Sequence, residues 1–201
     1  MKKIIFLLLF PLMAEVVISC CNCIEPVIQH YTNKTITLSN LDNSAKEPVL
    51  AVSDTVVKKA YGIRLQLIRE KMACLEKRRS LFISSAYAFT KCSCPPAQEY
   101  RPKDSIVSIK IYTLQSFDND HAAGSDLSAY FKVYKSYAFS TLEQFVKTSP
   151  TVLFDDKQLE QTIDFLLMTA PAINIEHHFK VQLTLSDGRT LEGETSPVKL
   201  I

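Results

Sequence analysis

Tryptophan is absent, and glycine occurs only four times, at Gly62, Gly124, Gly188 and Gly193. No two of these are close enough to build a phosphate-cradling loop, which excludes the common nucleotide-binding motifs and leaves no cofactor expected. Charge of one sign is lacking too: 23 Lys and Arg face 21 Asp and Glu, a net +2. Nucleic-acid binding needs clustered positive charge, so no nucleic-acid partner is expected. Lys77-Arg78-Arg79 is a small cluster that reads as a loop between strands. No G-x-S-x-G elbow or H-E-x-x-H helix occurs either.

What is present begins with an address. Lys2 and Lys3 precede an apolar stretch from Ile4 to Ala14, and Glu15 ends it before the roughly 20 residues a spanning helix needs. Val17-Ile18-Ser19-Cys20 resembles a bacterial lipobox, with a small residue directly before the cysteine. Cys21 is the poorer candidate, because Cys20 would then hold that small position. The expectation is a lipoprotein signal peptide over residues 1–19, a lipid on Cys20, and one β-sandwich domain over residues 20–201. The acyl chains would contribute about 0.8 kcal/mol per buried methylene, enough for stable anchoring. The partner implied is the membrane, on the outer-membrane side of the cell envelope, with an envelope protein as a further partner.

Five cysteines then remain as thiols: Cys21, Cys23, Cys74, Cys92 and Cys94. An exported location favours disulfides, and an odd count leaves one thiol over. A bridge within C-x-C is strained, so Cys74 with Cys92 or Cys94 is the expected pair. Its loop of about 20 residues is worth about 3 kcal/mol. Cys92-Ser93-Cys94-Pro95-Pro96 reads as an extended loop rather than a helix-capping redox motif. A thiol-redox or metal-binding role for the C-x-C cysteines is the alternative.

Between the ends, apolar residues alternate with polar ones. Ile36 and Leu38, the run Tyr61, Ile63, Leu65, Leu67, the run Leu81, Ile83, Tyr87, Phe89, and Val107, Ile109, Ile111 each predict a strand. Pro48 to Val52 predicts an edge strand. Ile175, His177, Phe179, Val181, Leu183 and Leu185 form the longest such face, followed by the tight turn Ser186-Asp187-Gly188-Arg189 and a return over Thr190 to Thr195. Val198 to Ile201 reads as an edge. Short helices are predicted over Leu127 to Phe131, capped by Ser125 or Asp126, and after Ser140-Thr141-Leu142-Glu143, a capping-box pattern closed by Pro150. Phe154-Asp155-Asp156 before Lys157-Gln158-Leu159 predicts one more turn. The fold class expected is mainly β, an antiparallel sandwich of immunoglobulin-like or transthyretin-like type with one or two short helices in its connections.

Candidate chemistry is sparse. His177 and His178 are neighbours on a strand and point to opposite faces, and His177 falls in the apolar register, where a core histidine is expected. His30 and His121 stand apart in turn or strand-end contexts. Asp118-Asn119-Asp120 with Asp126 offers oxygen ligands for calcium but lacks the glycine and distal Glu of an EF-hand loop, so a solvated Asx turn is expected. Asp155-Asp156 reads as charge at a helical N-terminus. Tyr130, Tyr134 and Tyr137 with Phe131 and Phe139 suit either a core cap or a contact patch, and core is the expectation. No catalytic residue and no metal site is assigned; the reading is a non-enzymatic binding or assembly module.

Seven segments resemble a Bacteroides-type lipoprotein family, the domain-of-unknown-function family numbered 5034. They are Cys20-Cys21-Asn22-Cys23, Leu41-Asp42-Asn43-Ser44, Tyr61-Gly62-Ile63-Arg64-Leu65, Cys92-Ser93-Cys94-Pro95-Pro96, Phe117-Asp118-Asn119, Ala123-Gly124-Ser125-Asp126 and Leu185-Ser186-Asp187-Gly188. The resemblance implies an envelope location and a β-rich fold. It supplies no activity and no catalytic residue.

Metabolic labelling with a clickable fatty acid tests the address. The wild-type chain is expected to take the label and Cys20→Ser to lose it; equal labelling of both would reject Cys20 as the lipid site.

Overall fold

Strands with one apolar face are stable only where such faces meet, and in this chain they meet in one main core. The computed structural model describes residues 27–72, 98–172 and 176–201. All six cysteines, the Leu81 to Phe89 run, Lys77-Arg78-Arg79 and Ile175 lie outside the described residues.

The largest sheet contains β1 (Val27–Asp42), β2 (Val49–Leu50), β4 (Tyr61–Met72), β5 (Gln98–Pro102), β7 (Phe131–Lys135), β8 (Ala138–Ser140) and β9 (Glu160–Leu167). Its order is β2-β1-β4-β9-β7-β8, with β5 parallel to the start of β1 and the other pairs antiparallel. A second sheet has the order β12-β11-β6, from Thr190–Glu194, Phe179–Leu185 and Ile106–Thr113. A third joins β10 (Glu176–His177), β13 (Val198–Leu200) and β3 (Thr55–Val56). The architecture is mainly β and sandwich-like, as expected.

The predicted alternations hold where ladders are regular. Tyr61, Ile63, Leu65 and Leu67 of β4 are buried, while on the other face Arg64 pairs with its cross-strand neighbour Asp164 at 2.7 Å. Gly62 is required by close packing: a Cβ there would lie 2.7 Å from Leu166 Cδ2 and 2.8 Å from the Phe165 carbonyl oxygen. In β6 the expectation fails at one residue. Val107 is exposed although Ile109 and Ile111 are buried, because the β6–β11 register shifts there and Val107 is the extra residue of a bulge.

The C-terminal run is buried at His177, Phe179, Val181, Leu183 and Leu185, yet it serves two sheets. His178 breaks the strand, and its carbonyl accepts the Leu114 N–H at 2.8 Å. The hairpin turn forms as predicted, with Gly188 at φ 86°. Val198 to Leu200 is a correction: it lies between β10 and β3 rather than at an edge.

One α-helix occurs among the described residues, α1 (Leu142–Thr148). Its capping box uses Thr141 and Gln144, one residue later than predicted, because Ser140 is paired to Val133 in β8. Leu127 to Phe131 is not a helix: only Ser128–Tyr130 forms a 3-10 turn, started by Asp126, before Phe131 enters β7. Asp156–Leu159 forms the predicted short turn, its first amides capped by Asp155.

Phe179 is the hub of the core. Its ring lies 5.3 Å from Tyr61, 5.8 Å from Phe131 and 6.1 Å from His177, centroid to centroid. Burial pushes the Tyr61 phenol well above its usual pKa, and its hydroxyl donates to Asn40 Oδ1 at 2.8 Å. Phe179→Ala is expected to cost about 3–5 kcal/mol, a large share of the roughly 5–15 kcal/mol of a typical domain. Chemical denaturation checks this, and a loss below about 1 kcal/mol would contradict the packing described.

Candidate functional site

The face of β4 that buries Tyr61, Ile63, Leu65 and Leu67 continues to Arg69, so period two carries a cation into the inward register. Opposite it, β1 bulges between Asn33 and Thr35, which turns Asn33 inward and leaves Lys34 outside against Glu70. The Asn33 side chain joins two charges: its Oδ1 accepts Arg69 Nε at 3.2 Å, and its Nδ2 donates to Asp104 Oδ1 at 2.7 Å.

Asp104 is 2% exposed. A carboxylate this deep is tolerable only with its lone pairs filled. Oδ1 also accepts the Asn33 N–H at 2.9 Å, and Oδ2 accepts the Thr32 hydroxyl and Arg189 Nη2. Arg189 in turn donates to the Asn33 carbonyl oxygen and to Asp187. The knot therefore ties the β1 bulge, the turn before β6 and the C-terminal hairpin together.

Arg69 differs from Arg189 in its company. It donates to Asn33 Oδ1, to the Gln158 carbonyl oxygen at 2.8 Å and to Gln161 Oε1, and its Cζ lies 5.4 Å from the Tyr31 ring centroid. All of these are neutral, and no carboxylate pairs with it among the described residues. Burial pulls the guanidinium below its ordinary pKa.

Two concavities share this cation in their linings. A small hole of about 40 Å³, with polar and apolar walls, lies between Asn33, Asp104, Arg69, Ile106 and the C-terminal end of α1. Ser149 Oγ is buried there and makes no hydrogen bond among the described residues. Beside it runs an open groove of about 350 Å³ floored by Val133, Phe145, Leu153 and Ile163, with Lys135, Lys157 and Glu160 at its rim. Arg69, Phe145, Pro150 and Gln161 line both. An apolar floor with a few convergent polar groups is the usual make-up of a small-molecule site.

The aromatic residues of this region divide. Phe131 belongs to the core, but Tyr137 and Phe139 are more than half exposed, which corrects the expectation that the set is core. The reason is the β7–β8 hairpin at the sheet's end, whose two turn residues, Ser136 and Tyr137, both have positive φ and lift the rings outward. Tyr134 packs against Phe139 with centroids 5.4 Å apart, and Tyr137 donates to Glu47 at 2.7 Å.

The other candidates from the sequence do not converge. Asp118 forms an Asx turn, accepting the Asp120 and His121 N–H groups, and contacts His121 Nδ1 at 2.7 Å. Against the desolvation of its loop, these bonds hold the carboxyl below the usual range. Asp126 starts the Ser128–Tyr130 turn and faces Lys110. Asp156 accepts from Lys71 at 2.6 Å and from Tyr100, and the Lys71 contact holds it low. His30 sits within β1, His177 in the core and His178 on the opposite face, 3.4 Å from Glu194. No group of three metal-ligating side chains occurs among the described residues. The cysteines named above lie outside them.

Sequence reasoning missed Arg69, Asn33 and Asp104. A signal existed for the first, a charge in the apolar register of β4. Asp104 follows Arg101-Pro102-Lys103 and reads like any turn acid.

No curated protein and no solved structure matches this chain. A family model described as a domain of unknown function, DUF5034, matches residues 33–196, which spans the bulge, the knot and the groove. By that match the chain belongs to the DUF5034 family.

Proposed function

We propose that this chain is a non-enzymatic binding module of the cell envelope, held to the membrane by a lipid on Cys20, with the groove between α1 and β7–β9 as its ligand site. The leader and the Val17-Ile18-Ser19-Cys20 sequence support the anchoring. The observation that carries the binding role is the groove itself: about 350 Å³, apolar at its floor and edged by charged and amide groups. Asp118, Asp126, Asp155 and His178 outside it are engaged in turns, a cap and an ion pair, which supports binding over catalysis.

Methyl-labelled NMR of the mature chain in detergent micelles tests this with benzyl alcohol, a neutral fragment matched to the floor. The Val133, Leu153 and Ile163 methyl signals are expected to shift saturably. Lys135 is exposed at the groove rim and shares the register of Val133, so Lys135→Trp should fill the groove and abolish the shifts without lowering the melting temperature. Shifts confined to other surfaces, or unchanged by Lys135→Trp, would reject the groove as the site.

A further inference from the structure

We infer that the groove selects a small, apolar-bodied carboxylic acid, its carboxylate seated at Arg69 beside Ser149 and its body on the groove floor. This rests on the groove being the ligand site.

Arg189 has two carboxylates, Asp104 and Asp187, whereas Arg69 has only neutral acceptors and the Tyr31 ring. A guanidinium carries five N–H donors, and three are engaged at Arg69, which leaves two. A partly buried cation without a counter-charge is costly, and an anionic ligand removes that cost. Burial acts on Arg69 in the direction this requires.

The donor set then narrows the anion. Ser149 Oγ shares the hole and is buried without a partner among the described residues, so its hydroxyl is a further donor beside the guanidinium. Asp104 also lines the hole, but both its oxygens are filled by Asn33, Thr32 and Arg189, and Arg189 balances its charge. One arginine and one hydroxyl suit a planar monoanion; a phosphate dianion would meet too few donors. Size and polarity narrow the body. The hole and the groove share Arg69, Phe145, Pro150 and Gln161 in their linings, and the groove floor is Val133, Leu153 and Ile163. A fully hydroxylated sugar acid would leave hydroxyls against that floor without partners.

The test compares benzoate, benzyl alcohol, phenyl phosphate and glucuronate by the same methyl shifts. Benzoate is expected to bind about tenfold or more tighter than benzyl alcohol, a difference of about 1.4 kcal/mol. Arg69→Gln should erase that preference while Arg69→Lys keeps part of it. Should Arg69→Gln fail to fold, Lys135→Glu, which replaces a cation at the exposed groove rim with an acid, should weaken benzoate and spare benzyl alcohol. Equal binding of benzoate and benzyl alcohol would overturn the carboxylate inference and leave the groove standing. Tighter binding of phenyl phosphate or glucuronate than of benzoate would overturn it as well. No shift with any of the four would defeat the groove reading itself and this inference with it.

Discussion

A buried carboxylate is the constraint on which this arrangement turns. Asp104 is sealed from water, and its oxygens are filled there by Asn33, Thr32 and Arg189. Each donor comes from a different requirement of the fold. Asn33 reaches inward only because β1 bulges at Lys34. Arg189 arrives because Gly188 closes the C-terminal hairpin in a left-handed conformation. The bulge and the hairpin, far apart in sequence, thus meet at one side chain.

The groove is a consequence of that knot. Asn33 divides its amide between Asp104 and Arg69, so the same residue that satisfies the carboxylate fixes the guanidinium. Gln158 and Gln161 hold the other side of Arg69, and α1, stopped by Pro150, roofs the space between. The tilt of the account toward an anionic ligand comes from how the charges are shared: one buried acid serves Arg189 directly and Arg69 only through an amide. The exposed Tyr137 and Phe139, packed against half-buried Tyr134, sit on the adjoining hairpin, so the groove opens beside aromatic surface.

Much of the sheet framework was legible in the sequence because burial on one face imposes period two. Tyr61 to Leu67 and Phe179 to Leu185 follow that rule throughout. It failed at Val107, where a bulge adds one residue and reverses the faces, since bulges leave no composition signal. The helix cap slipped by one position because both Ser140 and Thr141 could cap, and only the β8 ladder decides between them. The candidate site was nearly illegible. Arg69 betrayed itself by its register, whereas Asp104 and Asn33 acquire meaning only from partners 71 residues apart. Turn acids such as Asp118 were read correctly, because an Asx turn is a local device.

A double-mutant cycle on Asp104 and Arg189, read by chemical denaturation, tests the central claim most directly. Asp104→Ala is expected to cost about 3–5 kcal/mol, because it strips a buried network of its acceptor. Arg189→Ala should cost less, since that side chain is about half exposed and solvent screens it. The two losses should couple by about 1 kcal/mol or more, as contacting members of one network do. A loss within about 0.5 kcal/mol for Asp104→Ala, or additive losses for the pair, would contradict the account.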